Sequence, residues 1–293
     1  MHQAVTKSIN LLPIRKPLKN NMKSTLQRIE EIKRSGYNLD LGETINSTFE
    51  NYKKIALLAG AVILLVTIAA VVVVGGFTMV FYGISEVTET FTELSTGTLS
   101  STGFIINLVV SIIGAGLFAP ITAGIMQMAH NASKNEDFDF GTAFMHYKTI
   151  HFKELFFAAA IITLIGSGFS TLSQLVNLQY PEGDFLIAGS FISGAISAAV
   201  QIFTLLTIPL IIFGNLNAVD AIKSSVALVA KNFWIILLLI IIAGVFILLG
   251  LAAICIGIIF TFPIIYSLQY IIYTSALPID EVDELNEIGQ NIY

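Results

Sequence analysis

The residues able to do chemistry are few and scattered. There are four histidines, His2, His130, His146 and His151, and one cysteine, Cys255. A bound metal needs three or four donors converging on one point. His2 lies in the N-terminal segment, and His146 and His151 are five residues apart, a spacing that shares a helix face poorly. Interfacial polar histidines are the expectation, with no metal. Cys255 has no partner for an intramolecular disulfide and reads as a small apolar residue inside an apolar run. Gly166-Ser167-Gly168-Phe169-Ser170 offers a serine between glycines, but no His or Asp stands near it in sequence. There is no G-x-S-x-G, no phosphate-binding glycine loop and no Cys-x-x-Cys. No catalytic residue and no cofactor is expected.

The remaining polar groups in apolar runs are amides and hydroxyls, among them Asn107, Ser111, Gln127, Thr163, Gln174, Gln201 and Gln269. None of the run centres holds an ionisable residue, whereas a proton- or ion-coupled carrier normally keeps an acid at mid-depth. Two uses of these amides stay open. They can bond between helices, each bond contributing about 0.6–2 kcal/mol. They can also line a cavity beside helices broken by proline, as in some transporters. The candidates for a cavity or gate are Pro120, Gln127, Gln201, Pro209, Pro263 and Gln269; kinked packing is the favoured reading.

The elements that carry these groups follow from hydropathy. Apolar residues make up 55% of the 293 and charged residues 12%, half the share of about 25% in soluble domains. Mean hydropathy is +0.81. Apolar runs cover Ile55–Tyr82, Phe104–Ala129, Leu155–Val176, Phe185–Phe213 and Phe233–Ala276. About 20 residues cross the roughly 30 Å of hydrocarbon. The last run is therefore two crossings, turning near Gly250–Gly257, and the total is six. No apolar stretch precedes Ile55, so a cleaved signal is not expected. Met22-Lys23-Ser24 reads as an alternative start. All 15 Lys and Arg fall in the N-terminal segment, in 130–153 or in 214–232, and none in 83–102, 177–184 or 250–257. The positive-inside rule then puts both termini in the cytoplasm. The expected division is a basic, partly disordered segment at 1–38, a membrane domain at 39–276 and an acidic tail at 277–293.

Three polar-side segments share a gapless register. Asp40, Asp139 and Asn217 stand at a helix N-cap position. Five residues on come Ile45, Phe144 and Ile222, and fourteen on come Lys54, Lys153 and Lys231. Each segment has helical periodicity, with Leu41, Ile45, Phe49, Tyr52 and Ile55 on one face of the first and Val219, Ile222, Val226 and Val229 on one face of the third. They read as amphipathic helices on the cytoplasmic leaflet, with Lys54, Lys153 and Lys231 toward lipid headgroups. Each even-numbered crossing carries a proline: Pro120, Pro209 and Pro263. The expected fold is an all-α integral membrane protein, six transmembrane helices plus three cytoplasmic-side amphipathic helices, built as a threefold repeat of amphipathic helix and hairpin. Small residues at Gly189, Ser193 and Ser197 and at Gly166–Gly168 predict close helix packing or a homodimer face.

The segments YNLDLGETINSTFENYKKIALLAG, LTIPLIIFGNLNAVDAIKSSVALVAKNFW and GIIFTFPIIYSLQYIIY resemble a family of uncharacterised bacterial six-helix inner-membrane proteins over roughly residues 37–276. That family is similar in hydropathy and layout to the membrane domain of some glycerophosphodiester phosphodiesterases. Some of its members carry a name borrowed from beta-carotene monooxygenase. Such an oxygenase needs several histidines around iron inside the bundle, and the four here do not lie deep in an apolar run. The resemblance implies a multi-pass protein of the bacterial cytoplasmic membrane and no activity.

The functional expectation is a non-enzymatic membrane protein that interacts with lipid or a membrane partner protein. The alternatives are a carrier or exporter of an apolar or neutral solute and, weakest, a membrane-embedded enzyme acting on lipid or carotenoid. Nucleic acid is not an expected partner, because no basic patch sits on a recognisable domain.

Overall fold

The computed structural model describes residues 24–82, 88, 92–93, 100–179, 184–253 and 257–279. The acidic tail beyond Ile279, residues 1–23 and most of the 83–99 loop lie outside the described residues, as does Cys255. The helices are α1 (Thr25–Ser35), α2 (Leu41–Tyr82), α3 (Ser101–Lys134), a 3-10 helix (Phe140–Tyr147), α4 (Phe152–Gln179), α5 (Asp184–Phe203), α6 (Thr207–Ile212), α7 (Ala218–Lys231), α8 (Phe233–Ala253), α9 (Gly257–Thr261) and α10 (Ile264–Ala276). No strand occurs among the described residues. Six stretches are long and apolar enough to cross a membrane: Leu41–Val73, Ser101–Lys134, Phe152–Val176, Gly189–Ile212, Phe233–Gly250 and Ile259–Ala276. The chain is an all-α, multi-pass membrane protein.

The three polar-side segments start alike and continue differently. Asp40 Oδ1 accepts from the Glu43 N–H at 2.7 Å, Asp139 Oδ1 from Thr142 N–H at 3.0 Å and Asn217 Oδ1 from Asp220 N–H at 2.9 Å. Each side chain thus satisfies one of the backbone donors that a helix start leaves free. The first segment is no separate helix, contrary to expectation. It runs straight into the crossing as one helix of 42 residues, because no proline or capping break separates Phe49 from Ala61. Its buried seam is Thr44, Thr48, Asn51, Ile55, Ala59 and Val62, and the predicted face of Leu41, Ile45 and Phe49 is only half-buried. The second segment winds as a 3-10 helix rather than an α-helix. The third, α7, is separate, and of its predicted face Val229 is buried and Ile222 half-buried. Ala221, Ser224, Ser225 and Leu228 are buried, while Val219 and Val226 are exposed.

The prolines also differ in effect. Pro120 lies inside an uninterrupted α3, Pro209 follows a break between α5 and α6, and Pro263 stands at the junction of α9 and α10. The turn expected near Gly250–Gly257 rests on residues 254–256, outside the described residues, but its flanking legs meet. A Cβ on Gly250 would collide with the Thr261 side chain, and one on Gly257 with the Gly250 carbonyl, so the two legs meet with no room for a side chain.

The core has two adjoining parts. Leu206, Leu210, Ile211, Leu228, Ile236, Ile264, Leu268 and Ile272 pack α6, α7, α8 and α10 together. Ile55, Ala59, Ile125, Met128, Ala129 and Ala143 join α2, α3 and the 3-10 helix. Ile29 and Ile32 of α1 are buried in the first part, and Arg28 Nη1 donates to the Pro278 carbonyl at 3.1 Å. The chain from Thr25 onward is thereby joined to the bundle. Within the α4–α5 hairpin, Gly166 faces Ser197, whose Oγ lies 3.5 Å from where a Cβ would be. These small residues let the two legs approach.

Gly124 of α3 lies directly against the backbone of Ala143, and an added Cβ would strike the Ala143 carbonyl. Backbone cannot yield as a flexible side chain can. Gly124→Ala is expected to destabilise the protein by about 1–3 kcal/mol, as overpacking does, read as a lowered thermal midpoint in detergent. Gly75→Ala, with nothing within 4 Å of the new Cβ, is the neutral control.

Candidate functional site

Proline removes a backbone donor and crowds the carbonyl four residues back. In an apolar surround every backbone group so freed needs a partner. At Pro209 the chain leaves the α-helix after Phe203, with tighter turns from Leu205 N–H to Ile202 O at 3.2 Å and Thr207 N–H to Thr204 O at 3.0 Å. Ser225 of α7 serves this break twice. Its Oγ donates to the Phe203 carbonyl at 2.8 Å and accepts from Leu206 N–H at 3.0 Å. Thr204 Oγ1 donates back to Val200 O at 2.7 Å, a bond that bends helices.

The other two prolines are attended in a similar way. Tyr147, at the end of the 3-10 helix, donates to Leu117 O at 2.6 Å, three residues before Pro120. Tyr52 of α2 donates to Phe260 O at 3.1 Å, three residues before Pro263. Hydroxyls from the polar-side segments thus hold all three proline-bearing helices. Tyr147 and Ser225 share the position eight residues after the N-cap; in the first segment that position is Thr48, whose hydroxyl has no partner, and Tyr52, twelve residues on, makes the contact.

The break between α5 and α6 borders a cavity of about 480 Å³. Its walls come from α3, α4, α5–α6, α8 and α10, and most of them are aliphatic. Its polar lining is Gln201, Gln269 and four threonines, Thr122, Thr163, Thr204 and Thr207; no ionisable side chain lines it. Thr207 is 1% exposed, and its hydroxyl has no hydrogen-bond partner. Nor does any hydrogen bond to the side-chain amides of Gln201 or Gln269 occur among the described residues. An amide or hydroxyl removed from water without a partner costs roughly 2–7 kcal/mol. The Thr207 hydroxyl is shut into the wall, whereas the amides of Gln201 and Gln269 stay accessible and offer donors and acceptors to a neutral molecule. Ile162 stands ten residues into α4, roughly 15 Å along a helix rising 1.5 Å per residue. The cavity therefore lies about halfway through a span.

Of the sequence candidates, Gln201 and Gln269 meet in this cavity. Pro120, Pro209 and Pro263 are buried beside it and do not line it; their neighbours Ala119, Ile208 and Ile265 do. Gln127 lies elsewhere. It points along α3 toward the polar end and donates to Asn131 Oδ1 at 3.0 Å. Thr204 and Thr207 were missed, because a threonine beside a proline signals only a bend until the fold shows what it faces. Lys54 is turned to the protein, donating to Ala132 O at 2.9 Å and Asn135 Oδ1 at 2.8 Å, where it caps the C-terminus of α3. Lys153 and Lys231 are exposed.

The histidines, expected as interfacial polar groups, are packed among protein groups. His130 is buried, with Nδ1 3.1 Å from Tyr270 Oη and its ring against Phe213. His146 is buried too, and burial, aided by nearby His151, pushes its imidazole down to about 4. Burial also lowers His151, against the pull of Glu154. Glu154 itself accepts from the Ala218 N–H at 2.7 Å and so fixes the start of α7. Among the described residues no three His, Cys, Asp or Glu side chains are placed to hold a metal ion. Compared with protein-family models, curated proteins and solved structures, the chain matches none.

Ser225→Ala would strip the partners from Phe203 O and Leu206 N–H together. A loss of about 1–3 kcal/mol per buried group left unsatisfied is expected. It would appear as a lower thermal midpoint and faster backbone hydrogen exchange over 203–207. Ser225→Thr, which keeps the hydroxyl, should retain most of the stability.

Proposed function

We propose that this protein is a non-enzymatic membrane protein that takes up a neutral solute in the cavity between α3, α4, α5–α6, α8 and α10, as a carrier or exporter. One observation carries the reading. The amides of Gln201 and Gln269 line a mid-span cavity and are bonded to no described residue. An amide used for interhelical bonding is paired, as Asn51 is with Ala129 and Ser267, and these two are not. Absence of charge in the lining selects an uncharged occupant, since a buried unpaired ion is far costlier than a dipole.

The carrier reading comes with an arrangement. We take the three capped segments and the three proline-bearing helices as copies of one unit. Each segment clasps the proline helix of the preceding hairpin: Tyr147 on α3, Ser225 on α5–α6 and, closing the ring, Tyr52 on α9. Position in the bacterial cytoplasmic membrane, with both termini inside, rests on the distribution of lysine and arginine. Exposed Lys231 ends α7 and Trp234, 78% exposed, stands in the first turn of α8, which suits headgroup contact there. Membership of the six-helix inner-membrane family rests on the quoted segments alone.

Two measurements test this. In native mass spectrometry from mild detergent, the wild type is expected to carry a non-covalent neutral molecule that Ala159→Phe, which fills the cavity, does not. Equal spectra without any adduct, together with unchanged thermal midpoints across neutral solutes, would sink the carrier reading. For orientation, Ser95→Cys in a Cys255→Ser background should react with an impermeant maleimide added to intact cells. Labelling only after lysis would reverse the topology.

A further inference from the structure

The cavity has an edge as well as walls. Phe118 is 43% exposed, and Gln201 is exposed too; both line the cavity and both lie within spans. Their neighbours on the outside are apolar. Leu117 is 47% exposed on α3, and Ala198 and Ala199 are exposed on α5. The opening is therefore on the flank of the bundle, at the depth of the hydrocarbon, not at either end. An exposed glutamine amide at that depth is costly in lipid, and its position on the rim gives it a use.

We propose, building on the solute-cavity reading, that the occupant is an uncharged amphiphile entering sideways from the bilayer. Its hydroxyl- or amide-bearing head is held by Gln201 and Gln269, and its chain passes Phe118 into lipid. The volume of 480 Å³ falls within the roughly 300–1,000 Å³ typical of ligand pockets. It takes a head and the first part of a chain, and the open flank accommodates the remainder. A charged head would find no counter-charge in the lining. The amides present both donors and acceptors, so a head with both kinds of group is matched better than a pure acceptor such as an ester.

The experiment uses tryptophan quenching in proteoliposomes. Trp234 is the sole tryptophan. In a Trp234→Phe background, Phe118→Trp places a reporter on the rim, and Leu164→Trp, on an exposed face of α4, serves as the control. The quencher is a monoacylglycerol with a brominated chain, in vesicles of phosphatidylethanolamine and phosphatidylglycerol. Saturable quenching is expected at Phe118→Trp and not at Leu164→Trp. It should be lost in Gln201→Leu and in Gln201→Leu/Gln269→Leu. Brominated phosphatidylglycerol should quench both reporters alike and without saturation. If acrylamide from the aqueous phase quenches the rim reporter while the monoacylglycerol does not exceed the control, sideways entry of an amphiphile is overturned and a water-borne solute remains. If neither quencher exceeds the control, the cavity reading falls as well. Quenching that survives in Gln201→Leu, a substitution at an exposed site that leaves folding intact, overturns the assignment of the head group.

Discussion

Helices bent or broken at proline in an apolar surround must be held by the protein, and much of this bundle is arranged around that need. Pro120, Pro209 and Pro263 each sit in a helix that crosses the apolar layer. Lipid supplies no hydrogen bonds, so the partners come from the protein. From the polar-side segments, Tyr147, Ser225 and Tyr52 donate to Leu117 O, Phe203 O and Phe260 O, three to six residues before the prolines. Each bond ties a surface segment to the interior of a helix, and so sets where the segment lies. Gly124 shows the same constraint in steric form, since the 3-10 helix reaches Leu117 only because its backbone rests on a residue without a side chain.

The most elaborate of these joints, at Pro209, is also where the bundle leaves space. A helix that breaks for one turn no longer fills its share of the interior. Leu206, bonded to Ser225, stays fully buried, while Thr204 and Leu205 turn their side chains to the gap. Gln201 enters it from one turn above and Gln269 from α10. Broken backbone and unpaired side chains thus occur together, and the former is compensated within the protein while the latter are not. That contrast makes the cavity, rather than the proline joint, the place to expect a ligand.

The polar end is knitted by a different set of contacts. Lys54 caps α3, Glu154 caps α7, and Asn232 Nδ2 donates to Tyr37 O at 3.0 Å. Asn51 is buried between helices, giving a bond of 2.6 Å to Ala129 O and accepting one of 2.8 Å from Ser267. These link α2, α3 and α10 across long stretches of sequence. Charged and amide groups placed at this end hold the bundle together, so their presence near headgroups does not by itself mean that they bind lipid. Lys54 illustrates the point, for its ammonium is occupied by protein oxygens.

How much was legible in advance follows from the range of each force. Hydropathy is local and additive, so six apolar spans, the division of the last run near Gly250–Gly257 and the three N-caps at Asp40, Asp139 and Asn217 could be read from composition and spacing. Helical phase near the polar end could not. Apolar periodicity put Val219, Ile222, Val226 and Val229 on one face of α7; Val229 is buried and Val219 and Val226 are exposed, while Ser225, off that face, bonds the broken turn at Phe203–Leu206. Burial of His130 and His146, the pairing of Lys54, and the meeting of Gln201 with Gln269 and Thr207 likewise depend on residues far apart in the chain. By itself the sequence determined a multi-pass helical membrane protein, because crossing hydrocarbon is a matter of local length and polarity. Only the tertiary structure decided which polar groups were paired and which faced a cavity, because pairing depends on distances between helices that no single stretch encodes.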